Sequence, residues 1–175
     1  LVRLTLPGVL ANVDWIVSLA KLKTHHWAGA TLAMKNLFGI MPGSYYGWPK
    51  NVLHYAGLQE SILDINATVR PQFAIVDGIV GMEGDGPILG TAKTAGVLVG
   101  GTNLPAVDAT AARVMGFDPA RIRYLADADG WLGPIAEKAI HQVGETLASV
   151  RTPFELVEKI PAHKALLDQE SGAGY

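Results

Sequence analysis

The sequence predicts an α/β fold: a parallel or mixed sheet with helices on both faces. Three features predict it. Short continuous apolar runs have the length of buried strands, runs with a helical apolar face fall between them, and Gly, Pro, Asn or Asp separates the two kinds of segment.

Residues 14–20 (Asp-Trp-Ile-Val-Ser-Leu-Ala) read as a first strand, continuously rather than alternately apolar, that delivers the chain into a loop over 21–29. Residues 31–38 predict a short helix with Gly39 at its C-terminal end and a Pro42-Gly43 turn beyond. An aromatic loop follows over 44–50, carrying Tyr45, Tyr46 and Trp48. Val52, Leu53, Ala56, Leu58, Ile62, Leu63 and Ile65 supply a broad apolar face that predicts one long helix over 51–69, with Pro71 after its end. A second strand over 72–77 opens into a glycine-rich loop over 78–90, and 94–101 form a third strand. Thr102 or Asn103 can cap the next helix, which has Pro105 in its first turn and Gly116 past its end. Residues 118–128 predict another helix, stopped by Asp129-Gly130, and 140–144 and 147–150 read as short strands. The reading is one domain over 1–170 and a frayed tail over 171–175.

Composition narrows the function classes. The 175 residues are 49% apolar and 17% charged, with mean hydropathy +0.24, as expected of a domain with a large core. A formal charge of −2 and a pI near 6.2 give no electrostatic case for nucleic acid or an anionic membrane as partner. No apolar run approaches the ~20 residues that span a bilayer, so no membrane insertion is expected. The chain has no cysteine, and therefore no disulfide, thiolate nucleophile or cysteine-ligated iron–sulfur cluster of its own. It opens at Leu1 directly into Val2-Arg3-Leu4-Thr5-Leu6, which does not read as a signal peptide. A fragment of a longer protein is expected, with a missing N-terminal segment or a partner subunit as company and the cytoplasm as the favoured compartment.

Residues 21–43 carry the chemistry. Lys21, Lys23, His25, His26, Lys35 and Asn36 are set among apolar residues and glycines, and an ammonium in such a run is costly to bury without a partner. Lysines can hold an anion, and a neutral imidazole can exchange a proton near pH 7. On an extended segment His25 and His26 point to opposite sides. The plainer alternative is solvated lysines and a satisfied core histidine. His54, on the long helix, can add another imidazole to the same pocket. The loop from Asp77 through Glu83 and Asp85 combines three carboxylates with glycines including Gly84 and Gly86. Carboxylates there can hold a metal ion, and the glycine amides can approach an anionic cofactor. Asp108 is a carboxylate among small apolar residues, read as a helix-terminal charge, a backbone clamp or a partner for Lys35. In α/β sheets ligands sit beyond the carboxyl ends of the strands, so the loops over 21–29 and 78–90 are expected to converge, joined by the loop after Gly101 if 94–101 is a neighbouring strand.

Lys21-Leu22-Lys23-Thr24-His25, Lys35-Asn36-Leu37-Phe38-Gly39, Val76-Asp77-Gly78, the segment 84–87 and Ala106-Val107-Asp108 occur together and in order. This set resembles the uncharacterised prokaryotic domain-of-unknown-function family numbered 362, over roughly residues 13–133. The resemblance implies the C-terminal part of a larger domain and, for some members, appended iron–sulfur modules. His25, Ala28-Gly29, Lys35 and Pro42-Gly43 are also similar to lactate racemase. That likeness implies His25 as acid/base, Lys35 as attachment point for a nickel-pincer nucleotide and His54 as metal ligand, although Ala33-Met34 stand where that family has paired glycines.

The expected function is proton-transfer or metal-assisted chemistry on a small anionic substrate. His25 and Lys35 are its reactive groups, and Lys21, Lys23, His26, Asn36 and Asp108 surround the substrate. Gly84 and Gly86 stand against a cofactor, and His54, Asp77 and Glu83 are candidate metal ligands. The alternative is a non-catalytic accessory domain that binds a cofactor or partner for an iron–sulfur redox protein.

Overall fold

The computed structural model describes residues 3–47 and 51–167. Trp48 and the tail beyond Glu170 lie outside the described residues. The elements run β1 (Val17–His25), β2 (Gly29–Thr31), α1 (Ala33–Asn36), α2 (Gly43–Tyr46), α3 (Asn51–Tyr55), α4 (Leu58–Val69) and β3 (Phe73–Glu83). They continue through β4 (Thr91–Lys93), β5 (Val97–Gly101), α5 (Leu104–Val114), α6 (Arg123–Ala128), α7 (Leu147–Val150) and α8 (Pro161–Leu167). This is an α/β fold with a mixed five-stranded sheet and helices around it.

The sheet runs β2-β1-β3-β4, with β5 also on β3. β1 and β3 are parallel, from Val17↔Phe73 to Lys21↔Asp77, while β2 returns antiparallel along β1. β4 and β5 both lie antiparallel along the far edge of β3, so they continue one another across a break at Gly96, whose φ is +67°. Leu22, Ala74 and Val76 are buried in the core with Leu32, Met34, Ile62, Ile65, Ile122 and Leu125.

Several elements differ from the sequence expectation. β1 continues through Lys21, Lys23 and His25, which are strand residues rather than loop residues. Burial along it alternates: Ser18, Ala20 and Leu22 turn into the core, while Val17 and Leu19 stay exposed, Leu19 at 68%. Leu98, at 62%, stands on β5 in register with Asp77 of β3. β3 extends six residues past Asp77 because Gly78 and Gly81 permit close packing. A Cβ on Gly78 would stand 2.7 Å from the Leu22 side chain, and one on Gly81 3.0 Å from the Phe154 ring. The glycine-rich segment is thus mostly strand and hairpin. The helix expected over 51–69 breaks into α3 and α4 at Gly57, whose φ of +107° no helical residue adopts. The helix expected over 118–128 divides into a 3-10 turn (Pro119–Arg121) and α6. Leu147–Val150 is a helical turn rather than a strand, and 140–144 are irregular. β5 does neighbour β3, but antiparallel, so the loop after Gly101 lies beside Ala74 at the opposite end from the histidines. From there α5, capped by Asn103, whose side chain accepts from the Ala106 amide at 3.0 Å, carries Asp108 back to α1. Among the described residues no helix is long and apolar enough to cross a membrane.

Candidate functional site at the carboxyl ends of β1 and β3

The parallel strands β1 and β3 end side by side, and the turns that follow are tied together. The Thr24 hydroxyl donates to the Gly84 carbonyl at 2.8 Å, and the His26 amide donates to the Gly86 carbonyl at 2.9 Å. Gly86 is required by this approach, because a Cβ there would run into the Thr24 backbone. Gly84, at φ +75°, has open space around it and gives its amide to the Glu155 carbonyl at 2.9 Å.

His25 is buried at the end of β1, and its Nδ1 accepts the amides of Trp27 at 3.0 Å and Ala28 at 3.2 Å. The His25 and His26 rings are 4.9 Å apart, and Trp27 meets His26 at 4.7 Å and His54 at 5.3 Å. Phe38 then joins His54 at 5.6 Å and carries the Lys35 ammonium 5.3 Å from its ring centroid. Burial, followed by the electrostatic influence of the Lys35 ammonium and of His26, His54 and Lys23, drives the His25 pKa down to about 2, so its imidazole is neutral. Burial also lowers the Lys23 ammonium below its ordinary value. His26 Nδ1 lies 3.8 Å from the Asp85 carboxylate.

α1 is one turn long and is held by three other elements. Asp108 Oδ1 accepts the Ala33 amide at 2.7 Å and Oδ2 the Met34 amide at 2.9 Å. Asn36 donates to the Ser18 hydroxyl at 3.1 Å and the Leu19 carbonyl at 3.0 Å, while that hydroxyl donates to the Ala33 carbonyl at 2.9 Å. Asn66 of α4 donates to the Met34 carbonyl at 3.0 Å. Asp108 is therefore the backbone clamp among its alternatives. Full burial raises its carboxyl to about 7 against the lowering effect of the two amides.

The structure brings His25, His26, Lys35, His54 and Lys23 together, and leaves Lys21, Asp77 and Glu83 with other work. Lys21 pairs with Asp77 at 2.6 Å, and Asp77 also accepts the Ile79 amide at 2.9 Å. Glu83 accepts the Glu155 amide at 2.8 Å and pairs with Lys93 at 3.2 Å. Among the described residues no three His, Asp or Glu donors gather as a metal ion would need. Trp27 links two of the histidines, a role the sequence signals only as an indole next to paired histidines. The holds exerted by Ser18 and Asn66 were legible only as polar residues inside apolar runs.

The fold and this cluster define a small α/β domain with imidazoles and ammonium groups at the carboxyl ends of two parallel strands. The chain belongs to the family described as "Domain of unknown function (DUF362)", which matches residues 1–113 and so spans the whole cluster and Asp108. It is 30% identical over 129 residues to "Thylakoid-associated protein sll1697" of Synechocystis sp. (strain ATCC 27184 / PCC 6803 / Kazusa), a match covering 71% of this chain and 39% of that protein. No solved structure matches the chain. Neither match supports the likeness to lactate racemase, and the nickel roles it implied for Lys35 and His54 are withdrawn. The iron–sulfur company and the metal binding expected from sequence are likewise not shown by these matches.

Proposed function

We propose that the cluster at the ends of β1 and β3 binds a small organic anion, such as a carboxylate, and moves one of its protons. The observation that carries this reading is the convergence of Lys35, Lys23, His26 and His54 on the buried, neutral His25. Such a cluster offers N–H donors and positive charge in a partly desolvated place, where each interaction with an anion is stronger than in water. Lys35 and Lys23 hold the charge, the imidazoles handle the proton, and Trp27 and Phe38 supply the apolar wall. Lys21, already paired with Asp77, is outside this arrangement.

The test is calorimetric titration with oxalate, and with acetate as the monovalent comparison, at low ionic strength and at about 0.15 M. Saturable binding that falls at least about tenfold in Lys35→Ala is expected, the loss of one charge-assisted contact. No binding, or binding indifferent to both Lys35→Ala and Lys23→Ala, refutes the reading. Malonate, whose methylene carries the C–H bonds that oxalate lacks, tests the proton transfer: if it binds yet takes up no deuterium from heavy water faster than it does without the protein, a non-catalytic accessory domain is favoured.

A further inference from the structure

We infer that the two adjacent histidines present opposite chemistry: His25 is locked as an N–H donor at Nε2, and His26 is a proton acceptor at Nε2 whose Nδ1–H faces Asp85. The ligand they would share rests on the anion reading above, whereas the tautomers belong to the chain itself.

His25 is fixed by its own turn. Its Nδ1 receives two backbone amides, from Trp27 at 3.0 Å and Ala28 at 3.2 Å, and a ring nitrogen that accepts N–H groups carries no proton. The single proton of the neutral ring therefore sits on Nε2. Burial, with the Lys35 and Lys23 ammonium groups nearby, keeps a second proton off. His25 cannot serve as a base at Nδ1, but it can point an N–H at an anion.

His26 meets the reverse environment. A carboxylate only accepts, so Asp85, 3.8 Å from Nδ1 and beyond hydrogen-bond distance, biases the ring proton towards Nδ1 through its charge, which also acts on the buried His163, and Nε2 is then the lone-pair nitrogen. The His26 amide bond to the Gly86 carbonyl pins this turn to the very loop that carries Asp85. With ring centroids 4.9 Å apart, one small anion can meet both imidazoles. In the step this allows, the acid's H–O or H–C bond breaks and an N–H bond forms at His26 Nε2. The electron pair stays on the acid, where the His25 N–H and the Lys35 ammonium hold its charge. Asp85 offsets the imidazolium.

Long-range proton–nitrogen correlation spectra of the ¹⁵N-labelled 175-residue chain test this. The expected pattern is His25 protonated at Nε2 only and unchanged between about pH 5 and 8, with His26, when neutral, protonated at Nδ1. In Asp85→Asn, His26 should lose its Nδ1–H preference while His25 stays as it was. A His25 that carries Nδ1–H or gains charge in that pH range, or a His26 whose tautomer ignores Asp85→Asn, overturns the inference. Added oxalate should then move the Nε2 signals of both rings. Tautomers as stated, with rings that oxalate leaves unmoved, would overturn the anion-binding reading alone.

Discussion

Asp108→Asn should change how the stability of this domain depends on pH, in a direction opposite to that of an ordinary paired carboxylate. Asp108 is fully buried, and its carboxyl is raised from an ordinary value of 3.8 to about 7. Between these values the folded chain binds more protons at this site than the unfolded chain does, so the group's contribution falls as pH rises and levels off above about 7. One proton sets the slope, about 1.4 kcal/mol per pH unit, and the full window sets a ceiling of about 4 kcal/mol. His25 works against it. Its pKa is driven from 6.5 down to about 2, so the unfolded chain binds more protons there and stability rises with pH up to about 6.5. From about pH 4 to 6.5 the two slopes nearly cancel in the native protein. The substituted carboxamide would keep one acceptor for the α1 amides and turn an NH2 group on the other, a loss of about 1–3 kcal/mol where Asp108 is protonated. Urea denaturation at pH 5, 6, 7 and 8 is the assay. The variant's deficit should be largest at pH 5 and shrink or reverse by pH 8. Parallel profiles for the two proteins would refute the reasoning.

Three further outcomes follow from the same geometry. Gly86→Ala should cost more than about 2 kcal/mol in denaturant melts, because its Cβ meets the Thr24 backbone, whereas Gly84→Ala, strained only by its φ of +75°, should cost about 1 kcal/mol. Leu22→Ala, fully buried, should lose about 2–5 kcal/mol, while Leu19→Ser, three residues earlier on the open face, should stay within about 0.5 kcal/mol. Lys21→Ala should leave oxalate binding as it is; a loss equal to that of Lys35→Ala would move the anion to the Asp77 side of the sheet.

The sequence made the first strand, the helix bearing Lys35 and the capping of α5 by Asn103 legible, since each depends on neighbours a few residues apart. It also placed the lysine–histidine stretch at a strand end. The strand's true extent was hidden because Lys21 and Lys23 are polar, and polarity reads as loop until one face of the sheet is seen to be open. Gly78 and Gly81 read as loop glycines for a similar reason. Their purpose is steric, set by Leu22 and Phe154, which sequence spacing cannot place beside them. Strand direction is equally silent in an apolar run, so β5 could not be told antiparallel from parallel. The clamp from Asp108 to Ala33 spans 75 residues and the approach of Asp85 to His26 joins separate loops; such pairings exist only once the sheet has formed.

The single helical turn that bears Lys35 has a consequence for anyone seeking a ligand. A turn this short has no stability of its own and exists because β1, α4 and α5 each grip it. A molecule that seizes the ammonium therefore pulls on three distant stretches of polypeptide together. Its capture should register as a rise in the melting temperature of the entire domain, so a thermal-shift screen of small acids is a sensible first search.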